Sequence, residues 1–177
     1  MDKRKVILYI AQSLDGYIAR EDNDISWLSV VEQKNEDYGY GDFIKSIDTV
    51  IMGRKTYEKV LSFGIEFPHK DKKCYVLSKT HKGSDQNVQF YNDSVDELIS
   101  NLRSEEGDDI FIDGGAEVVK EFRNSNLIDE YILSIIPIFL GKGIRLFKES
   151  EIENKLKLMD SKTFVTGLVQ LKYERVD

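Results

Sequence analysis

Cysteine and histidine are nearly missing from this chain. Among 177 residues stand one cysteine, Cys74, and two histidines, His69 and His81. A single cysteine excludes an intramolecular disulfide. These three side chains also lack the ligand spacing of a zinc site, so no metal is expected. Flanked by Tyr75, Val76 and Leu77, Cys74 reads as a small buried residue rather than a nucleophile. Long apolar runs are absent too. No stretch reaches the roughly 18 residues of a membrane span. Residues 6–11 are too short for a signal-peptide core and read as a strand, so a cytoplasmic location and no membrane partner are the default expectation. Positive charge is in deficit, with 25 Lys and Arg against 32 Asp and Glu and a net charge of −7. That balance argues against a nucleic-acid partner, which needs a basic face. A small anionic ligand needs only a local cationic pocket and stays open.

Several familiar binding signatures are missing as well. Asp113-Gly114-Gly115-Ala116 is not the Gly-x-Gly-x-x-Gly of a Rossmann turn. Gly141-Lys142-Gly143 lacks the following hydroxyl residue and the glycine spacing of a Walker loop, which disfavours nucleotide hydrolysis and phosphate-ligand transfer. Asp22-Asn23-Asp24 begins like a calcium loop, but Trp27 and Gln33 stand where glycine and glutamate are needed; it reads as a solvent-facing turn. No repeat, low-complexity tract or linker interrupts the chain. With 41% hydrophobic residues, 1–177 fits one domain with a substantial core.

What is present is a cationic turn. Thr49-Val50-Ile51-Met52-Gly53-Arg54-Lys55-Thr56-Tyr57-Glu58 runs from an apolar strand through glycine and two cations into a helix-compatible segment. Helix N-termini favour acids, so an Arg-Lys pair there is unusual unless an anion is bound. Gly53 allows close backbone approach, and the cations supply the charge a phosphate needs. On these residues the ligand carries phosphate and is a nucleotide.

The rest of the chain supplies the frame. Apolar runs recur at 6–11, 50–52, 74–77 and 110–112, separated by helix-compatible segments at 54–61, 95–103 and 116–123. The second of these carries Ser94 and Glu97 as a capping box. Alternation of this kind implies parallel strands joined by crossovers. Residues 131–136 are strand-like and stop at Pro137. Val169, Leu171 and Tyr173 alternate with Gln170, Lys172 and Glu174 as a half-buried antiparallel strand next to a turn at Gly167. Residues 81–87 and 103–109 read as polar loops. The expected architecture is a mixed sheet, parallel in the middle and antiparallel at its C-terminal edge, with helices on both faces. Glycine or hydroxyl turns fall at strand ends: Ser13-Leu14-Asp15-Gly16, Gly53-Arg54-Lys55-Thr56, Leu77-Ser78-Lys79-Thr80 and Asp113-Gly114-Gly115-Ala116. Ligands of open α/β sheets bind at such ends.

The order of these turns resembles the dihydrofolate-reductase-like superfamily. The closer resemblance is to the family containing the C-terminal reductase domain of riboflavin-biosynthesis enzymes. It is carried by Ser13-Leu14-Asp15-Gly16-Tyr17-Ile18-Ala19, by residues 50–58, by Val76-Leu77-Ser78-Lys79, by Asp113-Gly114-Gly115 and by residues 136–143, in order over almost the whole chain. The resemblance implies a three-layer α/β sandwich with a mixed, mostly parallel sheet and C-terminal antiparallel strands. It also implies NADPH as hydride donor, and a homodimer with contacts through the C-terminal strands and residues 135–140. Carried over by position, Gly53, Arg54, Lys55 and Thr56 hold phosphates, with Arg54 on the 2′-phosphate. Leu77, Ser78 and Lys79 lie against the adenosine ribose and its 2′-phosphate. Gly114 and Gly115 pass beneath the pyrophosphate and nicotinamide ribose, with Ala116, Glu117 and Val118 opening the helix behind, and Ala11 lies by the nicotinamide.

The substrate side matches less closely. Counting from Trp27, Glu32 falls where dihydrofolate reductases place the acid that binds the pterin. Buried, it would assist protonation; exposed, it would be an ordinary helix residue. Asp15 is the other candidate acid, with stabilisation of its turn as the alternative. Tyr17 stands where riboflavin-pathway reductases usually carry a lysine suited to a ribose phosphate, and no zinc-ligand cluster exists to supply the deaminase often fused to them. The resulting expectation is an NADPH-dependent reductase of a small pterin- or pyrimidinone-type heterocycle, similar to dihydrofolate reductase or to 5-amino-6-(5-phosphoribosylamino)uracil reductase. A non-catalytic NADPH-binding protein and a reductase of other carbonyl or imine compounds are the alternatives.

Overall fold

The computed structural model describes residues 3–150 and 152–176. In chain order the elements are β1 (Val6–Ser13), β2 (Tyr17–Ala19), a 3-10 helix (Ser26–Val31), α1 (Tyr40–Lys45), β3 (Ile47–Gly53), α2 (Arg54–Leu61), β4 (Lys73–Leu77) and β5 (Gly83–Ser84). There follow β6 (Gln89–Tyr91), α3 (Val95–Ser104), β7 (Asp109–Gly114), α4 (Ala116–Asn124), β8 (Glu130–Ile136), β9 (Ile144–Arg145), β10 (Lys155–Thr163) and β11 (Val169–Val176). Nine strands form one sheet in the order β10-β11-β8-β1-β7-β3-β4-β6-β5, and β2 pairs with β9 apart from it. From β8 to β6 neighbouring strands are parallel; β10, β11 and β5 are antiparallel to their neighbours. This is the mixed, dihydrofolate-reductase-like sheet the sequence implies.

The period-2 pattern divides the core in two. Val6, Leu8, Ile51, Ile110 and Ile112 face α3 and α4, burying Leu98, Ile99, Leu102, Val119 and Phe122. Ile7, Val50, Met52, Val76 and Phe111 face the other way, onto Phe43 of α1 and Tyr57 of α2. Central strands covered on both faces read as unbroken apolar runs, which is why they were legible. Ser94 caps α3 by accepting from the Asp96 N–H. β7 inserts between β1 and β3 although it follows both in sequence. The C-terminal ends of β1, β7 and β3 therefore surround the place where strand order reverses, the position at which such sheets bind ligands.

Three parts of the C-terminal and N-terminal reading change. β10, an exposed edge strand, was not foreseen, although Lys155-Leu156-Lys157-Leu158 alternates. In β11 the buried residue is Gln170, not its apolar neighbours, because it enters a polar cluster with Tyr9 and Ser134. Between Trp27 and β3 the chain forms a 3-10 helix, an irregular stretch and the short α1, not one helix through Glu32. Gly167 does turn the chain from β10 to β11, at φ +84°. No helix of the described residues is long and apolar enough to cross a membrane.

Candidate active site

The ladder registers bring three of the strand-end turns together. Met52 of β3 pairs with Gly114 of β7, and Gly53 pairs with Leu77 of β4. Strands about 4.8 Å apart put three turns along a line of about 10 Å. Gly53 is the N-cap of α2, with no side-chain cap and no acid in the first turn. The first N–H groups of α2 thus lack internal partners, and the positive end of the helix dipole is uncompensated. Gly115 caps α4, again without a side-chain bond, although here Glu117 stands in the first turn.

The two caps touch. A Cβ on Gly53 would lie 3.1 Å from Val118 Cγ2 and 3.8 Å from Gly114 O and Gly115 N; one on Gly115 would lie 3.4 Å from Thr56 Oγ1. Gly114 has φ +105°, and its peptide bond to Gly115 is cis. Any side chain at Gly53 or Gly115 would fill this cradle. The donor set also suits a phosphate-bearing nucleotide: two helix starts without caps, a bare glycine floor, and Arg54 and Lys55 at the rim. Arg54 Nη1 pairs with Glu58 at 2.5 Å, but both are substantially exposed, and such a pair is easily exchanged for a bound anion.

Other expected contacts are engaged elsewhere. Ser78 Oγ accepts from the N–H groups of Thr80 (3.3 Å) and His81 (3.0 Å), so its hydroxyl already closes its own turn. Lys79 is exposed beside it, and Leu77 is partly buried. Glu117 is exposed and paired with Lys148, and that bond lowers its carboxyl below the ordinary range. Ala116 and Val118 are buried at the start of α4. Ala11 packs against the cluster containing Trp27 and Val31, and Ile10 Cδ1 approaches Gly114.

Both candidate acids take the placements of their structural alternatives. Asp15 is a clamp: it accepts from Ser13 Oγ (2.5 Å), Leu140 N–H (3.1 Å) and Gly141 N–H (2.7 Å). Desolvation raises its carboxyl, but these bonds outweigh it and hold the group below its usual range. That suits the turn-stabilising alternative and is opposite to what a proton donor needs. Glu32 follows the 3-10 helix and is exposed, so the buried placement that a protonating role requires is not met. The physical reason is the early end of that helix: Val31 turns inward, and the chain then leaves the sheet face.

The acid on the site face is Asp113, quoted in the glycine motif but not weighed as an acid. Two residues after buried Phe111 on β7, it shares that face, with its side chain 23% exposed. His69 Nε2 stands 3.7 Å from its Oδ2, and its charge is felt by Tyr40 of α1 and by Cys74. Partial burial raises the Tyr40 hydroxyl well above its ordinary range, and the Asp113 charge adds to this. Burial likewise pushes the Cys74 thiol to about 12, with Asp113 contributing. Next to them, Gln170 Nε2 donates to Tyr9 Oη (2.9 Å) and Ser134 Oγ (3.2 Å). The Trp27 Nε1–H is buried without an acceptor. An acid, hydroxyls and an amide at strand ends, next to two uncapped helix starts, can orient a polar heterocycle. By contrast, in a cavity of about 520 Å³ at the opposite strand ends Arg4, Lys5 and Lys172 are already paired, with Lys5–Glu130 at 2.5 Å and Lys172–Glu130 at 2.8 Å.

Comparison with known proteins agrees with this frame. Residues 4–170 match the RibD C-terminal domain family. Bacillus subtilis (strain 168) protein YwjB is 45% identical over 174 residues, 98% of this chain and 99% of its own. A solved protein from Shewanella sp. PV-4, named for riboflavin biosynthesis, superposes with a TM-score of 0.91 at 32% identity, covering 98% of this chain and 99% of that one. The dihydrofolate reductase of Enterococcus faecalis, solved with NADP(H), shares the fold alone, at a TM-score of 0.66 and 20% identity over 98% and 97% of the two chains. The chain belongs to the RibD C-terminal domain family, reductases of the dihydrofolate-reductase fold.

Proposed function

We propose that this protein is an NADPH-dependent reductase that transfers a hydride to a small pterin- or pyrimidinone-type heterocycle. The observation that carries the reading is the meeting of two uncapped helix starts over bare glycine, rimmed by Arg54 and Lys55. In this reading the N–H groups of Arg54, Lys55 and Thr56 bind phosphate, and Arg54 with Lys79 recognises the 2′-phosphate. Gly53, Gly114 and Gly115 let the backbone approach the dinucleotide, with Ala116, Glu117 and Val118 opening the helix behind, Leu77 and Ser78 shape its adenosine end, and Ala11 lies by the nicotinamide. NADPH, when bound, supplies the hydride. Asp113, in place of Glu32 or Asp15, holds the acceptor and serves its protonation. Proximity in a fixed geometry supplies most of the acceleration.

A second reading concerns the substrate. Tyr17 is buried, donates to Gly141 O (3.3 Å), and has the Arg145 guanidinium 4.8 Å over its ring. A residue so engaged does not replace the lysine expected for a ribose phosphate, which favours a carbonyl or imine acceptor without that group. We also propose that two copies pair through the C-terminal edge, where Leu156, Leu158 and Met159 of β10 are exposed. The function is tested by following loss of nicotinamide absorbance with 7,8-dihydrofolate, 5-amino-6-(5-phosphoribosylamino)uracil and a series of cyclic imines. Steady oxidation with any one supports the reductase. NADPH binding with no oxidation across the series supports the non-catalytic alternative.

A further inference from the structure

His69 is a buried titratable side chain that the fold leaves half unpartnered. It lies between α2 and β4, next to Pro68, and is 3% exposed. Phe67 and Phe111 place their rings edge-on to it, with centroids 5.7 and 6.1 Å away. Its backbone carbonyl is used, accepting from Cys74 Sγ (3.4 Å) and Lys72 N–H (2.9 Å). The ring is not used in the same way. Nδ1 is buried without a hydrogen bond, and Nε2 stands 3.7 Å from Asp113 Oδ2. An unpartnered buried polar atom is destabilising and uncommon. An apolar residue would fill the slot between two phenylalanines without that penalty, so packing alone does not account for an imidazole here.

The ring has one polar neighbour that reaches the candidate site, and that neighbour is Asp113. We infer that His69 is a positioning residue: its Nε2–H faces the Asp113 carboxylate and holds it in one orientation at the end of β7, directly before the Gly114–Gly115 floor. This rests on the reading of the chain as a reductase with Asp113 at its substrate site. The other titratable groups that feel the Asp113 charge are Tyr40 of α1 and Cys74 of β4, a hydroxyl and a thiol that are neutral at ordinary pH and are pushed further up by burial and by that charge. Among the described residues, the ion pair that geometry gives this carboxylate is with the His69 imidazole, whose ring N–H can donate to it. The 3.7 Å separation is longer than a hydrogen bond. Catalytic contacts of this type are commonly long before ligand binds and tighten in the complex.

The chain has only two histidines, so ring-nitrogen NMR of the full-length protein is readily assigned, with His81→Gln removing one set of signals. The inference predicts a His69 ring fixed as the Nε2–H tautomer, with Nδ1 bare. Asp113→Ala should release it to a mixture of tautomers, and adding NADPH should sharpen the wild-type signal. His69→Gln, which keeps a donor in the same reach, should retain reduction of the accepted heterocycle within about threefold. His69→Phe, matched to the flanking rings, should lower kcat by about tenfold or more with KM for NADPH unchanged. An Nδ1–H tautomer, or a His69 signal indifferent to Asp113→Ala, overturns the inference. So does equal activity in His69→Phe and wild type. If no heterocycle is reduced, the reductase reading falls separately, and the tautomer still decides whether His69 holds Asp113.

Discussion

Gly53→Ala tests the joint between the two glycine turns proposed to hold phosphate. Gly53 has φ −81° and ψ 157°, which any residue adopts, so the backbone carries no strain on substitution. Replacing glycine there restricts the unfolded chain and by itself stabilises by about 0.5 kcal/mol. Against this, the new methyl would sit 3.1 Å from Val118 Cγ2, a buried side chain at the start of α4. Crowding of a packed site costs about 1–3 kcal/mol. The net expectation is a loss of about 1 kcal/mol. Val118→Ala alone removes buried methyls and should cost about 2 kcal/mol. In the double variant the clash is gone, so the added Gly53→Ala should be neutral or stabilising, a coupling of about 1–1.5 kcal/mol. Urea unfolding of the four proteins measures this. NADPH titration of the same set should show a loss of about tenfold in Gly53→Ala that Val118→Ala partly restores, because relief of the contact lets the cradle close. Additivity within about 0.3 kcal/mol would refute the claim that the two caps meet at this contact.

Other predictions follow from the acids and the sheet edge. Asp15 has a lowered carboxyl, so its contribution is full above the unfolded value of about 3.9 and is lost as pH falls through the lower folded value. Asp15→Asn should therefore be less stable at neutral pH, with the gap closing below about pH 4 in pH-dependent urea melts; a gap independent of pH would contradict the clamp. Glu32→Gln should change kcat by less than about twofold, while Asp113→Asn should lower it by about a hundredfold; the reverse ranking would restore Glu32 as the acid. Leu158→Asp places a charge on the exposed β10 edge and should shift sedimentation from dimer to monomer without lowering the melting temperature. A monomeric wild type would remove the proposed pairing.

The central strands and α2 were legible because burial on both faces produces continuous apolar runs, and α2 begins and ends where the pattern does, at Arg54 and Leu61. The glycine turns at these strand ends were legible for a related reason: Gly53, Gly114 and Gly115 stand at spacings from the apolar runs that are visible in the chain. Their mutual contact was not, since it depends on β7 inserting between β1 and β3, a long-range choice without a local signal. Counting from Trp27 assumes a continuous helix, whereas a 3-10 turn ends at Val31 and leaves Glu32 exposed. Asp113 was visible as a letter but not as part of a cluster, because His69, which comes within 3.7 Å of it, lies 44 positions away and the aromatic slot around the imidazole forms only in the folded sheet. β10 escaped because an exposed edge strand buries nothing, so its Lys-Leu alternation carries little contrast.

The most direct test of the account is a titration of purified protein with NADPH and NADH, read by nicotinamide fluorescence, for wild type and Arg54→Ala. The account predicts that wild type prefers NADPH. It also predicts that the variant loses NADPH affinity by about ten- to a hundredfold, the value of one charge-assisted phosphate contact, toward the NADH level. Failure to bind either nucleotide, or an NADPH affinity unchanged by Arg54→Ala, would contradict it.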